Sequence, residues 1–323
     1  MRQYIVKRLA LAVLTLFGVS LIVFSMVRVI PGGVVDQILG ENQGDPEIRA
    51  RIEHDLGLDQ PQWKQYFSWA GGVLTLDFGD SLRGGLPVSD RMKQALPTTL
   101  EMAFLALLIS LLIALPVGTL AAIRQDSIAD YVSRSFSIGF LAIPSFWLGT
   151  MIIVYSSVWF TKATPDYQQF WENPYENLKF MLFPFGYFIP VGPAVVLGVS
   201  LSGTVMRLTR AQMLEVLRQD YVRTAWAKGL GERRIIVGHA LKNALIPVVT
   251  VVGLQVPILV GGSVVVESIF NAPGIGLWFF EAISTRDYTA VQAIALITAV
   301  TVVLSNLLVD ISYAYLDPRI RYS

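Results

Sequence analysis

The sequence contains no cysteine among its 323 residues and only two histidines, His54 and His239. Without thiols the chain cannot form disulfides, use a thiolate nucleophile or bind a metal through sulfur. The two histidines lie far apart in the sequence, so we expect no dedicated metal site. Charged residues are also scarce, at 15% of the chain, whereas soluble domains contain about a quarter.

Hydrophobic residues, by contrast, make up 54% of the chain, and the mean hydropathy is +0.55. Six apolar runs are long enough to cross a bilayer, since about 20 helical residues span a hydrocarbon core of about 30 Å. They are Leu9–Ile30, Thr98–Ile123, Phe136–Phe160, Tyr187–Met206, Ala244–Val266 and Ala290–Val309. We therefore predict an all-α integral membrane protein with six transmembrane helices. The first run is too long for a signal peptide and lacks a cleavage site, which predicts a retained anchor.

The distribution of basic residues predicts the orientation of these helices, because segments rich in Lys and Arg stay in the cytoplasm. Of the 25 basic residues, 15 lie in the N-terminus, in residues 124–135 and 207–243, and in the C-terminal tail. Nine lie in residues 31–97, 161–186 and 267–289, which form a longer total stretch. Both termini and the segment 207–243 are therefore predicted to be cytoplasmic.

The centres of the six predicted spans contain no Asp, Glu, Lys, Arg or His. A transporter driven by an ion gradient usually carries such groups in mid-membrane, so this class is disfavoured. An intramembrane hydrolase is disfavoured as well, since it needs a nucleophile with its base, or a metal site, within the bilayer.

Three polar residues near or within the spans have two interpretations each. Arg28 and Glu101 fall at similar predicted depth near the outer surface, where they form an ion pair or extend separately to the lipid headgroups. Gln255, midway along the fifth span, either faces a solute path or makes an interhelical hydrogen bond.

The segment 220–229 predicts a short helix on the cytoplasmic side. Asp220 is placed to cap its start, and Gly229 is placed to end it, because glycine takes the left-handed conformation without steric cost. Val222, Ala225 and Trp226 would share one face of this helix. Such an apolar face favours docking of a protein partner over the alternative, a basic loop lying against anionic lipid.

The segment "DYVRTAWAKGLGERRIIVGHALKNALIPVVT" resembles the coupling-loop signature of ABC transporter permeases of the dipeptide/oligopeptide family. Arg223-Thr224-Ala225 stands where that signature has Glu-Ala-Ala, and Gly229 matches its glycine. Further matches in the same order run through the whole chain: the opening Lys7–Gly32, then Gly57–Pro61, Phe78–Ser81, Pro97–Leu100, Val265–Gly276 and the closing Asp317–Arg321.

This resemblance implies the permease subunit of an importer, similar to the type I ABC importers, that itself catalyses nothing. It implies that two cytoplasmic ATPases dock on a coupling helix formed by Asp220, Tyr221, Val222, Arg223, Thr224, Ala225, Trp226, Ala227, Lys228 and Gly229. ATP and Mg would bind those partners, and no cofactor is expected on this chain. A second homologous permease chain and an extracytoplasmic substrate-binding protein are the other implied partners, with no nucleic acid.

The implied location is a prokaryotic cytoplasmic membrane, and the implied cargo is a dipeptide or oligopeptide. A nickel chelate, glutathione or a sugar is the alternative cargo within the family. We expect three regions: residues 1–30 as the first transmembrane helix, residues 31–97 as an extracytoplasmic segment forming a small cap, and residues 98–323 as the core with five transmembrane helices and the coupling loop 207–243.

Overall fold

A computed structural model describes residues 2–29, 35, 39, 46–55, 58–160, 165–183 and 191–316. In chain order its helices are α1 (Arg2–Val29), α2 (Pro46–Asp55), α3 (Gln62–Leu74), α4 (Val88–Ile123), α5 (Ile128–Ala142), α6 (Ser145–Phe160), α7 (Pro174–Leu182), α8 (Pro193–Leu217), α9 (Asp220–Ala227), α10 (Lys242–Phe270), α11 (Ile275–Ser284) and α12 (Tyr288–Leu316). A π-helical segment, Arg234–Leu241, leads into α10. The predicted all-α class is confirmed.

Four helical stretches are long and apolar enough to cross a membrane, and they match the first, second, fifth and sixth predicted spans. These stretches are Ile5–Met26, Val88–Ile123, Arg234–Gly261 and Tyr288–Ile311. Two bent pairs also qualify if each pair is one span: α5 with α6, bent by 90°, and the end of α10 with α11, bent by 89°.

The third predicted span is therefore broken rather than straight. The break falls at Ile143 and Pro144, between α5 and α6. Ile143 adopts an extended conformation with ψ of 116°, because the ring of a following proline disfavours the helical region for the preceding residue. Pro144 also lacks the N–H that would continue the helix.

Helix α8 corresponds to the fourth predicted span, of which residues 187–190 lie outside the described part of the chain. It packs against α4, α5, α6 and α10. Its buried side includes small and polar residues, among them Ser202, Gly203 and Thr209. Because neighbouring helices rather than lipid cover it, α8 needs less hydrophobicity than a helix that faces the bilayer, and its apolar run is correspondingly weak.

The contact between α8 and α4 is close because it is built on small residues. A Cβ atom at Gly198 of α8 would lie 2.8 Å from the Ala106 carbonyl oxygen and 2.8 Å from Ile109 Cβ, both on α4. No side chain fits at such distances. Glycine here brings the two backbones together, which increases dispersion contacts between helices that have no hydrophobic driving force to associate within lipid.

The first helix packs along α12. Near its start, Arg8 Nη1 lies 3.1 Å from Asp310 Oδ2. Further along α1, Phe24 makes an edge contact with Tyr66 of α3, with ring centroids 5.3 Å apart. These contacts attach α3, which belongs to the predicted outer cap, to α1.

Only some of the aromatic residues in the predicted cap are packed against other side chains. Tyr66 and Phe78 are each 7% exposed, whereas Trp63 and Phe67 are about two-thirds exposed. Phe78 joins a buried cluster with residues of α4, α11 and α12, so the cap is continuous with the core at this point.

Substituting Gly198→Ala tests the close contact of α4 and α8. The added methyl forces the helices apart, and overpacking of this kind costs about 1–3 kcal/mol, so the thermal unfolding midpoint in detergent should fall. The matched control is Gly139→Ala on α5, where a Cβ would meet nothing within 4 Å. We expect the control to be neutral or slightly stabilising, since alanine favours helix more than glycine does. Equal midpoints for the two variants would contradict the packing argument.

Candidate functional site

Helix α9 is a short helix fixed to the end of α8. Only Arg218 and Gln219 separate the two helices. Val222 and Ala225 on the inner face of α9 are 1% and 7% exposed. They pack with the buried Ile235 of the π-helical segment and with apolar side chains at the end of α8, Val216 and Leu217. The helix is therefore mounted on both segments that flank it.

The end of α9 is as the sequence predicts. Gly229 has φ of +74°, a left-handed conformation that glycine adopts without strain. Its N–H donates to the Trp226 carbonyl at 2.9 Å, and the Leu230 N–H donates to the Ala225 carbonyl at 3.3 Å. This is the Schellman pattern, and the Leu230 side chain completes it by packing against the α9 cluster.

The start of α9 differs from the prediction. Gln219 rather than Asp220 is the N-cap residue, and its side chain makes no capping hydrogen bond. Asp220 is the first helical residue, with a side chain 96% exposed and its carboxylate 3.5 Å from Arg223 Nη1. The Gln219 carbonyl already accepts the Val222 N–H at 3.1 Å, so the chain enters the helix one residue before Asp220.

The predicted docking face of α9 is also corrected by the structure. Val222 and Ala225 face the protein's own interior, so they cannot meet a partner while α9 stays in place. Trp226 is 49% exposed and Tyr221 is 43% exposed. Together with the largely exposed Arg223, these side chains form the accessible surface of the helix. Helical spacing alone could not distinguish the buried residues from the exposed ones, because Trp226 lies only about 40° around the helix from Val222.

Tyr221 also ties α9 to the beginning of α10. The Asn243 side-chain amide donates to the Tyr221 hydroxyl oxygen at 2.9 Å and to the His239 carbonyl at 2.9 Å. His239 lies in the π-helical segment, and wide turns of this kind are rare and occur frequently at functional sites. A displacement of α9 would therefore reach both α8 and α10.

Gln255 lies midway along α10 and is half-buried. Its amide has no hydrogen-bond partner among the described residues, so the interhelical bond expected as one alternative is not made within this part of the chain. On the same helix Leu254, Ile258 and Val265 are at least half exposed. Gln255 thus borders an exposed apolar stripe.

Arg28 and Glu101, both described, do not form the predicted ion pair. The Arg28 guanidinium donates to Gln65 Oε1 at 2.7 Å and lies 3.5 Å from the centre of the Phe24 ring. Glu101 instead accepts a hydrogen bond from the Asn177 amide at 3.1 Å. Similar depth in the membrane did not bring them together, since α1 packs against α12 and α3 and leaves α4 to other neighbours.

A buried carboxylate, which the sequence reading did not single out, organises the turn between α10 and α11. Glu267 is fully buried. Its Oε1 accepts hydrogen bonds from the hydroxyls of Thr99, at 2.7 Å, and Ser263, at 2.8 Å. Its Oε2 accepts the Leu277 backbone N–H at 2.9 Å. One side chain therefore joins α4, α10 and α11.

These contacts replace an ordinary helix cap. The N-cap residue of α11 is Gly274, which has no side chain to offer, and a Cβ there would collide with the Glu267 carboxylate. Thr99 Oγ1 accepts the Ile275 N–H at 2.8 Å while Glu267 accepts that of Leu277. The negative carboxylate also lies at the positive end of the α11 dipole, which stabilises it. The signal in the sequence was an acid beside a glycine-rich turn.

Two known protein families match this chain. Residues 114–322 match the family described as "Binding-protein-dependent transport system inner membrane component". Residues 1–103 match the corresponding N-terminal family, "Binding-prot-dependent transport system membrane comp, N-term". Together the two matches cover almost the whole chain.

Individual relatives align over the full length. The chain is 39% identical over 338 residues to the dipeptide transport system permease protein DppB of Escherichia coli strain K12, covering 100% of this chain and 99% of that protein. It is 40% identical over 336 residues to the di/tripeptide transport system permease protein DppB of Pseudomonas aeruginosa, with the same coverage. It is 38% identical over 330 residues to the oligopeptide transport system permease protein AppB of Bacillus subtilis, covering 100% of both.

Solved structures share the fold. A chain from the MetNI methionine ABC transporter in an inward-facing conformation superposes with a TM-score of 0.55 at 18% identity. The match covers 70% of this chain and 96% of that chain. At this identity the likeness concerns the architecture alone, and it agrees with the helical arrangement described above.

Substituting Glu267→Gln tests the α10–α11 turn. The glutamine amide keeps one acceptor oxygen, but its NH2 group replaces the other oxygen and would face groups that are themselves donors. A hydrogen bond to a charged group is worth about 1.5–3 kcal/mol, and at least one such bond is lost. The thermal unfolding midpoint should therefore fall clearly. Glu281→Gln on α11 is the matched control, because Glu281 is 45% exposed and pairs with Arg91 at the surface. A control that is destabilised as much as Glu267→Gln would contradict the role given to the buried network.

Proposed function

The chain belongs to the family of binding-protein-dependent transport system inner membrane components, and we propose that it is the peptide-translocating permease subunit of an ATP-driven importer. It is a multi-pass protein of the bacterial cytoplasmic membrane. The observation that carries the proposal is α9, a short helix with exposed aromatic and basic side chains that is firmly held by the rest of the protein.

We infer that α9 is the docking element for cytoplasmic ATPase subunits. Trp226 and Tyr221 present large amphipathic surfaces, and Trp, Tyr and Arg are the residues that most often dominate binding energy at protein interfaces. The inner face of α9 packs on α8 and on the π-helical segment. A partner that displaces α9 would therefore displace these two segments with it. ATP and Mg would be held by the partner subunits, and this chain would supply no catalytic group.

The proposed cargo is a dipeptide or short oligopeptide. Its support is the naming of full-length relatives as dipeptide, di/tripeptide and oligopeptide permeases. A substrate-binding protein on the outer side would deliver the peptide, consistent with the family's description as binding-protein-dependent. A nickel chelate, glutathione or a sugar remains the alternative cargo that the transport assay distinguishes.

A second permease chain would complete the pathway. The stripe of Leu254, Ile258 and Val265 on α10 is exposed in the single chain, and Gln255 beside it lacks a hydrogen-bond partner among the described residues. An adjacent permease chain would cover the apolar stripe on α10 and leave the Gln255 amide near the interface between the two chains. Closure of the ATPases would then move α8 and α10 together as a hinged or sliding unit, and the cavity would open on alternate sides.

Reconstitution of the complex tests the function itself. We expect uptake of a labelled dipeptide into liposomes only when the partner ATPases, ATP and the binding protein are present. Labelled sugar, nickel chelate and glutathione, each offered with the same binding protein, serve as specificity controls. Peptide uptake that proceeds without any ATPase subunit would overturn the proposal of an ATP-driven importer. Preferential uptake of another solute would overturn the proposal that the cargo is a peptide.

The variant Trp226→Ala tests docking. Removal of a tryptophan that dominates an interface costs about 2 kcal/mol or more, so we expect the ATPases to bind the purified permease at least about thirtyfold more weakly. Trp63→Ala is the control, since Trp63 is 65% exposed but belongs to the outer segment. ATPase binding that is unaffected by Trp226→Ala would show that the exposed face of α9 is not the contact.

A further inference from the structure

A buried charged cluster lies at the cytoplasmic ends of α5 and α8. Asp130, in the first turn of α5, has a side chain with no exposed surface, whereas Arg210 of α8 is 20% exposed. Arg210 Nε lies 2.6 Å from Asp130 Oδ1 and Nη2 lies 2.8 Å from Oδ2. This is a two-bond arrangement, which fixes orientation as well as distance.

The remaining contacts of Asp130 hold the carboxylate in place. Arg134, one turn further along α5, donates to it through Nε at 3.0 Å and also through Nη2. The Asp126 backbone N–H donates to Oδ2 at 3.0 Å. Asp130 therefore satisfies both arginines while it is itself fixed to the α4–α5 connection.

A second bond joins the same two helices further into the bundle. The Ser137 hydroxyl of α5 donates to the Gly203 carbonyl of α8 at 2.7 Å, and both residues are largely buried. Two attachments at separate heights prevent α5 from pivoting about either one. Helices α5 and α8 are thus joined along their cytoplasmic halves.

The position of Arg210 relates this joint to α9. Arg210 lies seven residues before the end of α8, about 10 Å along the helix axis, and the end of α8 carries α9. From α5 the chain passes through the 90° bend into α6, and α6 contacts α10. A rigid joint at Asp130 would therefore connect the docking helix to the helices on the far side of the bend.

We propose that Asp130 is a positioning residue that makes α5 move with α8, so that displacement of α9 by the ATPases reaches the bent pair α5–α6. This inference rests on the proposed function. Asp130 does not touch solute or nucleotide. Its contribution is to transmit movement, because a bidentate ion pair in a buried site resists the sliding that apolar contacts allow.

The first test uses Asp130→Asn in the complete reconstituted complex. The asparagine keeps the size of the side chain but loses the charge and one acceptor. We expect ATPase subunits to remain bound and ATP to be hydrolysed, while peptide taken up per ATP falls at least about fivefold, the lower range of typical coupling between sites. Asp126→Asn is the matched control: the Asp126 carboxylate is 64% exposed and pairs with Arg134, and it accepts a further hydrogen bond from the Gln125 amide. Its left-handed backbone, with φ of 60°, suits asparagine.

The double variant Asp130→Asn with Arg210→Gln distinguishes loss of the contact between α5 and α8 from the effect of leaving the Arg210 charge without its carboxylate. It also replaces the single variant in the test if Asp130→Asn alone does not fold. The double variant removes the charge of the partly buried Arg210, which would otherwise lose its anionic partner, but it does not restore the ion pair between α5 and α8. Uptake per ATP that stays low in a stable double variant supports the inference. Uptake per ATP that returns to the unmodified value, or a normal ratio in a folded Asp130→Asn complex, overturns it.

Distance measurements provide an independent readout. The chain has no cysteine, so spin labels can be placed at Ile128→Cys on α5 and Glu215→Cys on α8 without removing native thiols; both positions are exposed. We expect one unchanged distance with and without an ATP analogue, and a broadened or shifted distance in Asp130→Asn. A distance that changes on ATP binding with Asp130 intact contradicts the rigid joint. Absence of ATP-dependent uptake by the unmodified complex would instead refute the proposed function.

Discussion

Close packing of α8 against α4 is the interaction on which the other parts of the structure depend. Gly198 lets the two backbones approach to a distance that no side chain allows, and α8 in turn contacts α5, α6 and α10. Lipid is as apolar as a leucine side chain, so helices in a bilayer associate through such packing and through hydrogen bonds. Because protein surrounds α8, the helix carries hydroxyl groups and Arg210, which would be unfavourable against lipid.

The central position of α8 also determines how the cytoplasmic segment is presented. Helix α9 has few residues and would be marginal alone, since isolated helices shorter than about 12–15 residues are barely stable in water. Its stability comes from Val222 and Ala225, which are buried against its flanking segments, and from the Gly229 turn. The buried half fixes the helix, and that leaves the other half available to a partner.

The α10–α11 turn is stabilised by a buried carboxylate. Glu267 is a buried carboxylate with no cationic partner in the described part of the chain; two hydroxyls and one backbone N–H donate hydrogen bonds to it. Such burial is tolerable because every donor is directed at the charge and because the start of α11 is electropositive. The contrast with Asp130, which is neutralised by two arginines, reflects location: basic residues are concentrated near the cytoplasmic side, and the turn has helix termini instead.

By itself the sequence determined the membrane class, the main spans, the family resemblance and the end of α9 at Gly229. These follow from side-chain partition into lipid and from local backbone preference, which depend on residues close together in the chain. Only the tertiary structure decided that Trp226 faces outward beside a buried Val222, that Arg28 binds Gln65, and that Glu267 closes a turn. Each of these outcomes depends on which surfaces are covered by helices that are distant in the sequence. Which polar partner a side chain binds depends on distances in space, and spacing along the sequence does not give those distances.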